Sequence, residues 1–91
     1  MNTSIKILIA EHDPTDLELI LRQLKTANFN YLVETVKNEP EYTNALQTFI
    51  PDIILSDYSF PSFDGLTAFK IKEQTTPDTP FIIISGTIGE E

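Results

Sequence analysis

The chain lacks cysteine entirely. It therefore forms neither disulfide bonds nor thiolate metal sites. A chain without cysteine is compatible with a reducing compartment. The remaining composition, with 41% hydrophobic and 22% charged residues, is ordinary for a globular protein and gives no sign of disorder.

Basic residues are scarce, with six Lys and Arg against fourteen Asp and Glu and a formal net charge of −8. A nucleic-acid-binding surface needs the opposite sign of charge, so this balance argues against that function. An acidic surface keeps cations rather than anions nearby. An acidic surface that serves only solubility explains most of these charges equally well.

Long apolar segments are also missing. No apolar run approaches the roughly 20 residues that cross a bilayer as a helix. The first residues, Met1–Lys6, lack the basic start and apolar stretch of a signal peptide. We therefore predict a cytoplasmic protein without a membrane partner.

A length of 91 residues allows one domain, which we assign to residues 1–91. Short continuous apolar runs rich in β-branched residues are typical of parallel strands covered on both faces. A fourth, more polar segment reads as an edge strand. The predicted strands contain Ile7–Ala10, Tyr31–Val36, Ile53–Leu55 and Phe81–Ile84.

Helical spacing fills the gaps between these strands. Apolar residues recur at i, i+3, i+4 and i+7 after Asp13-Pro14, which predicts a helix that Asp13 caps. The same spacing follows Asn38, and a third helix is predicted after Gly65 and before Thr75. The apolar positions are Leu17, Ile20, Leu21, Leu24, Tyr42, Ala45, Leu46, Phe49, Leu66, Phe69 and Ile71. The alternating order predicts an α/β fold with a parallel sheet and right-handed crossovers.

Polar groups follow three of the predicted strands. Glu11-His12-Asp13 follows the first, Asp57 ends the third, and Ser85-Gly86-Thr87 follows the fourth. The carboxyl-terminal ends of all strands in a parallel sheet lie at one edge. Carboxylates that cluster at this edge need a neutralising cation such as Mg²⁺. Carboxylates are known nucleophiles toward phosphoryl groups, so this edge indicates a phosphorylation site at Asp57.

Three motifs in register resemble the receiver domain of two-component response regulators. They are Ile7–Pro14, then Asp57 with Pro61 and Asp64-Gly65, then Phe81–Gly86. The resemblance runs over the whole chain. It implies a flavodoxin-like (CheY-like) doubly wound sheet of order 2-1-3-4-5, and phosphorelay signalling rather than a free-standing enzyme.

The resemblance also assigns roles to residues. Asp57 corresponds to the phosphoacceptor, which receives phosphate from a histidine kinase or phosphotransfer protein. Glu11 and the position of His12 correspond to the acidic pair that holds Mg²⁺, and the backbone carbonyl of Ser59 to a further metal ligand. Ser85 corresponds to the switch hydroxyl that turns toward the phosphate. A homodimer is compatible with the family.

The sequence departs from the family pattern in two ways. His12 stands where the family usually has an acidic metal ligand, and a neutral imidazole is a poor ligand for Mg²⁺. With a reference pKa near ~6.5, it changes charge near neutral pH. The family pattern continues with a helix, a fifth strand that carries a lysine, and a last helix. The 91 residues of this sequence do not contain these three elements. We therefore expect a C-terminally incomplete receiver domain with one sheet face partly uncovered.

Several alternatives stay open at this point. A pseudo-receiver would use the same fold as a protein-interaction module without phosphorylation, and His12 motivates this reading. A metal-dependent phosphohydrolase would use Asp57 as its nucleophile, but Ser59 stands where a second acid would protonate the leaving group. For single residues, Asp13 reads first as a helix cap and only second as a site residue. Thr87 is a weaker alternative to Ser85.

Overall fold

The computed structural model describes residues 4–11, 13–57 and 65–84. Within them, four strands alternate with three helices. The elements are β1 (Ile5–Ala10), α1 (Pro14–Lys25), β2 (Tyr31–Val36), α2 (Glu39–Thr48), β3 (Ile53–Asp57), α3 (Gly65–Thr75) and β4 (Phe81–Ile84). No helix in these three stretches is long and apolar enough to cross a membrane.

The strands form one parallel sheet of order β2-β1-β3-β4. This order confirms the predicted fold class and the edge position of β2. Continuous apolar runs located β1, β3 and β4, whereas β2 was located as a more polar edge segment. Two strands are longer than predicted: β1 begins at Ile5, and β3 continues through Asp57. Asp57 is thus the last residue of a paired strand.

Side-chain caps begin the first two helices where the sequence predicted. The Asp13 carboxylate accepts hydrogen bonds from the backbone N–H groups of Thr15 and Asp16, at 2.8 and 3.4 Å, and Pro14 takes the first helical position. Asn38 accepts from the N–H of Glu41, at 2.9 Å. Each cap supplies an acceptor to a helix end that otherwise lacks one.

The main core lies between the sheet and helices α2 and α3. Within it the Tyr42 hydroxyl donates a 2.7 Å hydrogen bond to the carbonyl of Ala68, which ties the two helices together. The buried cluster comprises Leu8, Ala10, Val36, Tyr42, Ala45, Leu46, Ile54 and Ala68. This layer anchors the centre of the sheet from one side.

The opposite face is covered by α1 and is less closely packed. Ile7 and Ile9 of β1 are buried there, but α1 itself contributes no buried residue. Leu19 of α1 and Ile82 of β4 expose 52% and 47% of their surface. In the described part of the chain, this face is therefore only partly covered, as the sequence led us to expect.

Helix α3 buries a face that the apolar spacing did not show. Leu66 and Phe69 are exposed, whereas Gly65, Ala68 and Lys72 are buried. The Lys72 ammonium donates to the carboxylate of Glu73 and to the carbonyl of Pro77, each at 2.8 Å. These bonds compensate the buried charge, and small side chains let the helix lie close to the sheet.

Ile50 has an unfavourable backbone conformation. Its φ of 52° is the left-handed value that glycine adopts readily and a β-branched residue resists. Its N–H donates to the carbonyl of Ala45 at 3.2 Å, so this geometry closes the end of α2 before Pro51. The side chain is 58% exposed and gains little from burial.

Replacing Ile50 with glycine should therefore stabilise the protein. The Ile50→Gly variant relieves the steric cost of the left-handed conformation, and we expect the free energy of unfolding to rise by about 0.5–1 kcal/mol. Urea unfolding measures this change. The matched control is Ile50→Ala, which removes the exposed side chain but keeps the Cβ and should give no such gain. Equal stabilities for the two variants would contradict the backbone explanation.

Candidate functional site

Two carboxyl groups meet at the carboxyl-terminal edge of the sheet. Strands β1 and β3 are direct neighbours, and their pairing ends with Ala10 opposite Ser56. Glu11 and Asp57 are the next residues on the two strands, so they extend past this last pair side by side. Asp57 also pairs with Ile84, the last residue of β4. The topology therefore brings together two of the predicted site residues.

Glu11 is held firmly in this position. Only 3% of its surface is exposed. Its backbone N–H donates to the carbonyl of Val36 at 3.2 Å, and its carboxylate accepts from the N–H of Asp13 at 3.2 Å. Asp13 thus orients Glu11 through its backbone, while its own carboxylate caps α1.

Burial raises the pKa of the Glu11 carboxyl to about 7, because the ionised form loses its hydration. The hydrogen bond from the N–H of Asp13 acts in the opposite direction. The negative charges of Asp57 and Asp16 also contribute to this raised pKa, as does a side-chain hydrogen bond between Glu11 and Asp57. The site therefore concentrates more negative charge than its own hydrogen bonds offset.

Asp16 is a neighbour of the site that the sequence analysis did not select. In the structure it lines, together with Glu11, a cavity of ≈ 170 Å³ between α1 and the end of β4. The remaining lining residues are Leu19, Ile20, Gln23 and Ile84. Only the placement of α1 against the sheet brings Asp16 there, so residue spacing alone gave no signal.

The donor atoms suit a hard divalent cation. Glu11 and Asp57 offer carboxylate oxygens, the ligands that Mg²⁺ prefers, and a cation would relieve the charge that raises the pKa of Glu11. Within residues 4–11, 13–57 and 65–84, no three His, Cys, Asp or Glu side chains form a metal-binding group. The described part thus contributes a pair of acids.

The other predicted site residues lie outside the described residues. They are His12, Ser59, Ser85 and Thr87, together with Pro61 and Asp64 of the motif after Asp57. Their proposed roles stay predictions from the sequence.

Residues 7–91 match the family model of the response regulator receiver domain. The chain is 29% identical over 82 residues to the protein-glutamate methylesterase/protein-glutamine glutaminase of Nitrosospira multiformis. That alignment covers 90% of this chain and 23% of the relative, so the chain spans less than a quarter of that protein.

Solved structures give the same fold. The phosphorylated cyanobacterial phytochrome response regulator RcpA is similar with a TM-score of 0.81 and 26% identity, over 97% of this chain and 69% of that one. The receiver domain of a sensor histidine kinase from Pseudomonas aeruginosa, with a magnesium ion coordinated in its active-site cleft, has a TM-score of 0.71 and 24% identity. The latter match covers 94% of this chain and 71% of that one.

The raised pKa of Glu11 predicts a pH-dependent stability. Between about pH 4.5 and about pH 7 the folded state binds more protons at Glu11 than the unfolded state, so this residue destabilises the fold as pH rises through that range. Glu11→Gln removes the effect. We expect the variant to be more stable than the unsubstituted protein above about pH 7, with the difference vanishing below about pH 4.5.

Urea unfolding at several pH values, without divalent cations, measures this difference. The control is Glu34→Gln, at an exposed carboxylate on β2 far from the site. A stability difference for Glu11→Gln that stays constant with pH would contradict the assigned pKa.

Proposed function

This chain belongs to the response regulator receiver domain family, and we propose that it accepts a phosphoryl group on Asp57. It is a signalling domain of two-component systems. The observation that carries the proposal is the placement of Asp57 beside Glu11 at the ends of adjacent parallel strands. In open α/β sheets, this edge is where ligands bind and chemistry occurs.

The phosphoryl donor is a phosphohistidine of a histidine kinase or phosphotransfer protein, the partners with which receiver domains interact. A carboxylate oxygen of Asp57 attacks the phosphorus atom, and the phosphorus–nitrogen bond to the imidazole breaks. The imidazole keeps the electron pair and takes up a proton from solvent. The product is an aspartyl phosphate on Asp57.

Mg²⁺ is the cofactor that we propose for this site: Glu11 and Asp57 would hold it, and the family resemblance adds the backbone carbonyl of Ser59. When bound, it offsets the negative charge of the carboxylates and of the incoming phosphoryl group. The position of His12, next to Glu11 in the chain, would contribute an imidazole or a water-bridged contact in place of the usual acid. The raised pKa of Glu11 supports the need for such a cation.

The response to phosphorylation is proposed to involve Ser85, with Thr87 as the alternative. Ile84, the residue before Ser85 in the chain, ends β4 directly opposite Asp57. A hydroxyl there would donate to a phosphate oxygen and bias a pre-existing equilibrium between two conformations. Any enzymatic activity of the Nitrosospira relative is a property of that protein, and for this chain we propose only the receiver role.

Asp57 is tested by phosphorylation with a small acyl phosphate and Mg²⁺, followed by intact-mass measurement. We expect a mass increase of one phosphoryl group that Asp57→Asn abolishes, because the amide is not a nucleophile. The control Asp78→Asn, in the exposed turn before β4, should keep the increase. An unchanged mass increase in Asp57→Asn would contradict the assignment.

A second candidate function is the pseudo-receiver, a protein-interaction module on this fold that is never phosphorylated. The observation that favours it is His12, which replaces an acidic ligand next to Glu11. No mass increase in the unsubstituted protein, at any pH and with any divalent ion, would establish this alternative and exclude phosphoacceptance.

His12 should set how much Mg²⁺ the reaction needs. We expect His12→Asp to lower the Mg²⁺ concentration for half-maximal phosphorylation by on the order of tenfold, because a hard carboxylate replaces an imidazole. The control His12→Asn removes the imidazole without adding charge and should have a smaller effect. Equal Mg²⁺ requirements in all three proteins would show that position 12 does not contact the metal.

A further inference from the structure

Ser56 is a buried polar residue with no part in the chemistry described so far. Its surface is 0% exposed, and it shares the interior of the described chain with only two other buried polar residues, Glu11 and Lys72. On its two sides in the sheet lie Ala10 of β1 and Ile83 of β4. A hydroxyl in such surroundings is costly unless it is hydrogen-bonded.

The Ser56 hydroxyl donates a 2.9 Å hydrogen bond to the backbone carbonyl of Asp57. Successive side chains of a strand point to opposite faces. Ser56 shares its face with Ile54 and the α2–α3 core, whereas Asp57 points to the other face, toward Glu11. The hydrogen bond therefore restrains the backbone of Asp57 from the face of the sheet opposite to its carboxylate.

This contact lies where the support from β1 ends, while β4 still pairs with Asp57 through Ile84. The β1–β3 pairing stops at Ala10 and Ser56, so Asp57 extends one residue beyond it. A rotation about the N–Cα bond of Asp57 would move its carbonyl group and its side chain together, and so would displace the carboxylate relative to Glu11. A hydrogen bond to the Asp57 carbonyl limits this rotation.

We propose that Ser56 is a positioning residue for phosphoryl transfer, which acts by fixing the peptide that follows Asp57. The inference rests on the proposed function, since it assumes that Asp57 is the nucleophile. A small displacement of a reacting group slows a reaction strongly. Residues that hydrogen-bond to a reacting or metal-binding residue therefore influence both binding affinity and reaction rate.

The structure supplies a matched control for the test. The Tyr42 hydroxyl also donates one buried hydrogen bond to a backbone carbonyl, that of Ala68, but between α2 and α3. Tyr42→Phe and Ser56→Ala thus each remove a hydroxyl that donates to a backbone carbonyl, in a buried bond for Tyr42 and a part-buried one for Ser56. Ser56→Cys adds a nearly isosteric variant with a weak donor, which keeps the packing if Ser56→Ala disturbs it.

The first measurement is the rate of Asp57 phosphorylation by a small acyl phosphate at saturating Mg²⁺. We expect Ser56→Ala and Ser56→Cys to be slower by about tenfold, and Tyr42→Phe to stay within about twofold of the unsubstituted protein. A purely structural role for Ser56 would lower stability in the Ser56 and Tyr42 variants alike without separating their rates.

The second measurement is the carbonyl ¹³C resonance of Asp57, which reports the hydrogen bond without any phosphorylation. Ser56→Ala should shift this resonance, and Tyr42→Phe should shift that of Ala68 instead. An unmoved Asp57 resonance would overturn the positioning role, as would equal rates in all folded variants while phosphorylation itself persists. Failure of the unsubstituted protein to take up phosphate would instead overturn the proposed function, and the inference with it.

Discussion

The parallel pairing of β1 with β3 is the constraint on which the site depends. It ends both strands at the same level, so Glu11 and Asp57 extend side by side past the last pair. Burial and two neighbouring carboxylates raise the pKa of Glu11. The fold thus carries an electrostatic cost at this edge, and a cation or a change of protonation is the direct way to relieve it. In the receiver role that we propose, the metal and the phosphoryl group would meet where this negative charge is already concentrated.

The parts of the molecule that the sequence predicted well are those governed by local rules. Continuous apolar runs located β1, β3 and β4, and a more polar segment located the edge strand β2. Asp13 and Asn38 cap helices because their side chains reach N–H groups only two or three residues on. Glu11 and Asp57 could be placed at one edge of the sheet because the carboxyl ends of parallel strands lie at the same edge.

The features that the sequence did not predict depend on particular contacts that apolar spacing does not encode. Lys72 is buried only because Glu73 and the carbonyl of Pro77 compensate its charge, and no apolar periodicity reveals such a pairing. Asp16 joins the surroundings of Glu11 through the placement of a whole helix. Ile50 adopts a left-handed conformation that its residue type disfavours, because the end of α2 and Pro51 impose it. In each case a specific contact or the packing of a helix outweighs the preference of the residue type.

In the proposed receiver role, one face of the sheet anchors the backbone of β3 and the other face carries the Asp57 carboxylate. The α2–α3 face carries the continuous core, and it fixes β3 through Ile54 and, by our inference, the backbone of Asp57 through Ser56. The Asp57 side chain points to the other face, where α1 contributes no buried residue. A nucleophile needs a rigid backbone and an accessible carboxylate at once. Placing the anchor and the reacting group on opposite sides of one strand satisfies both requirements, since alternation along the strand separates them by a single residue.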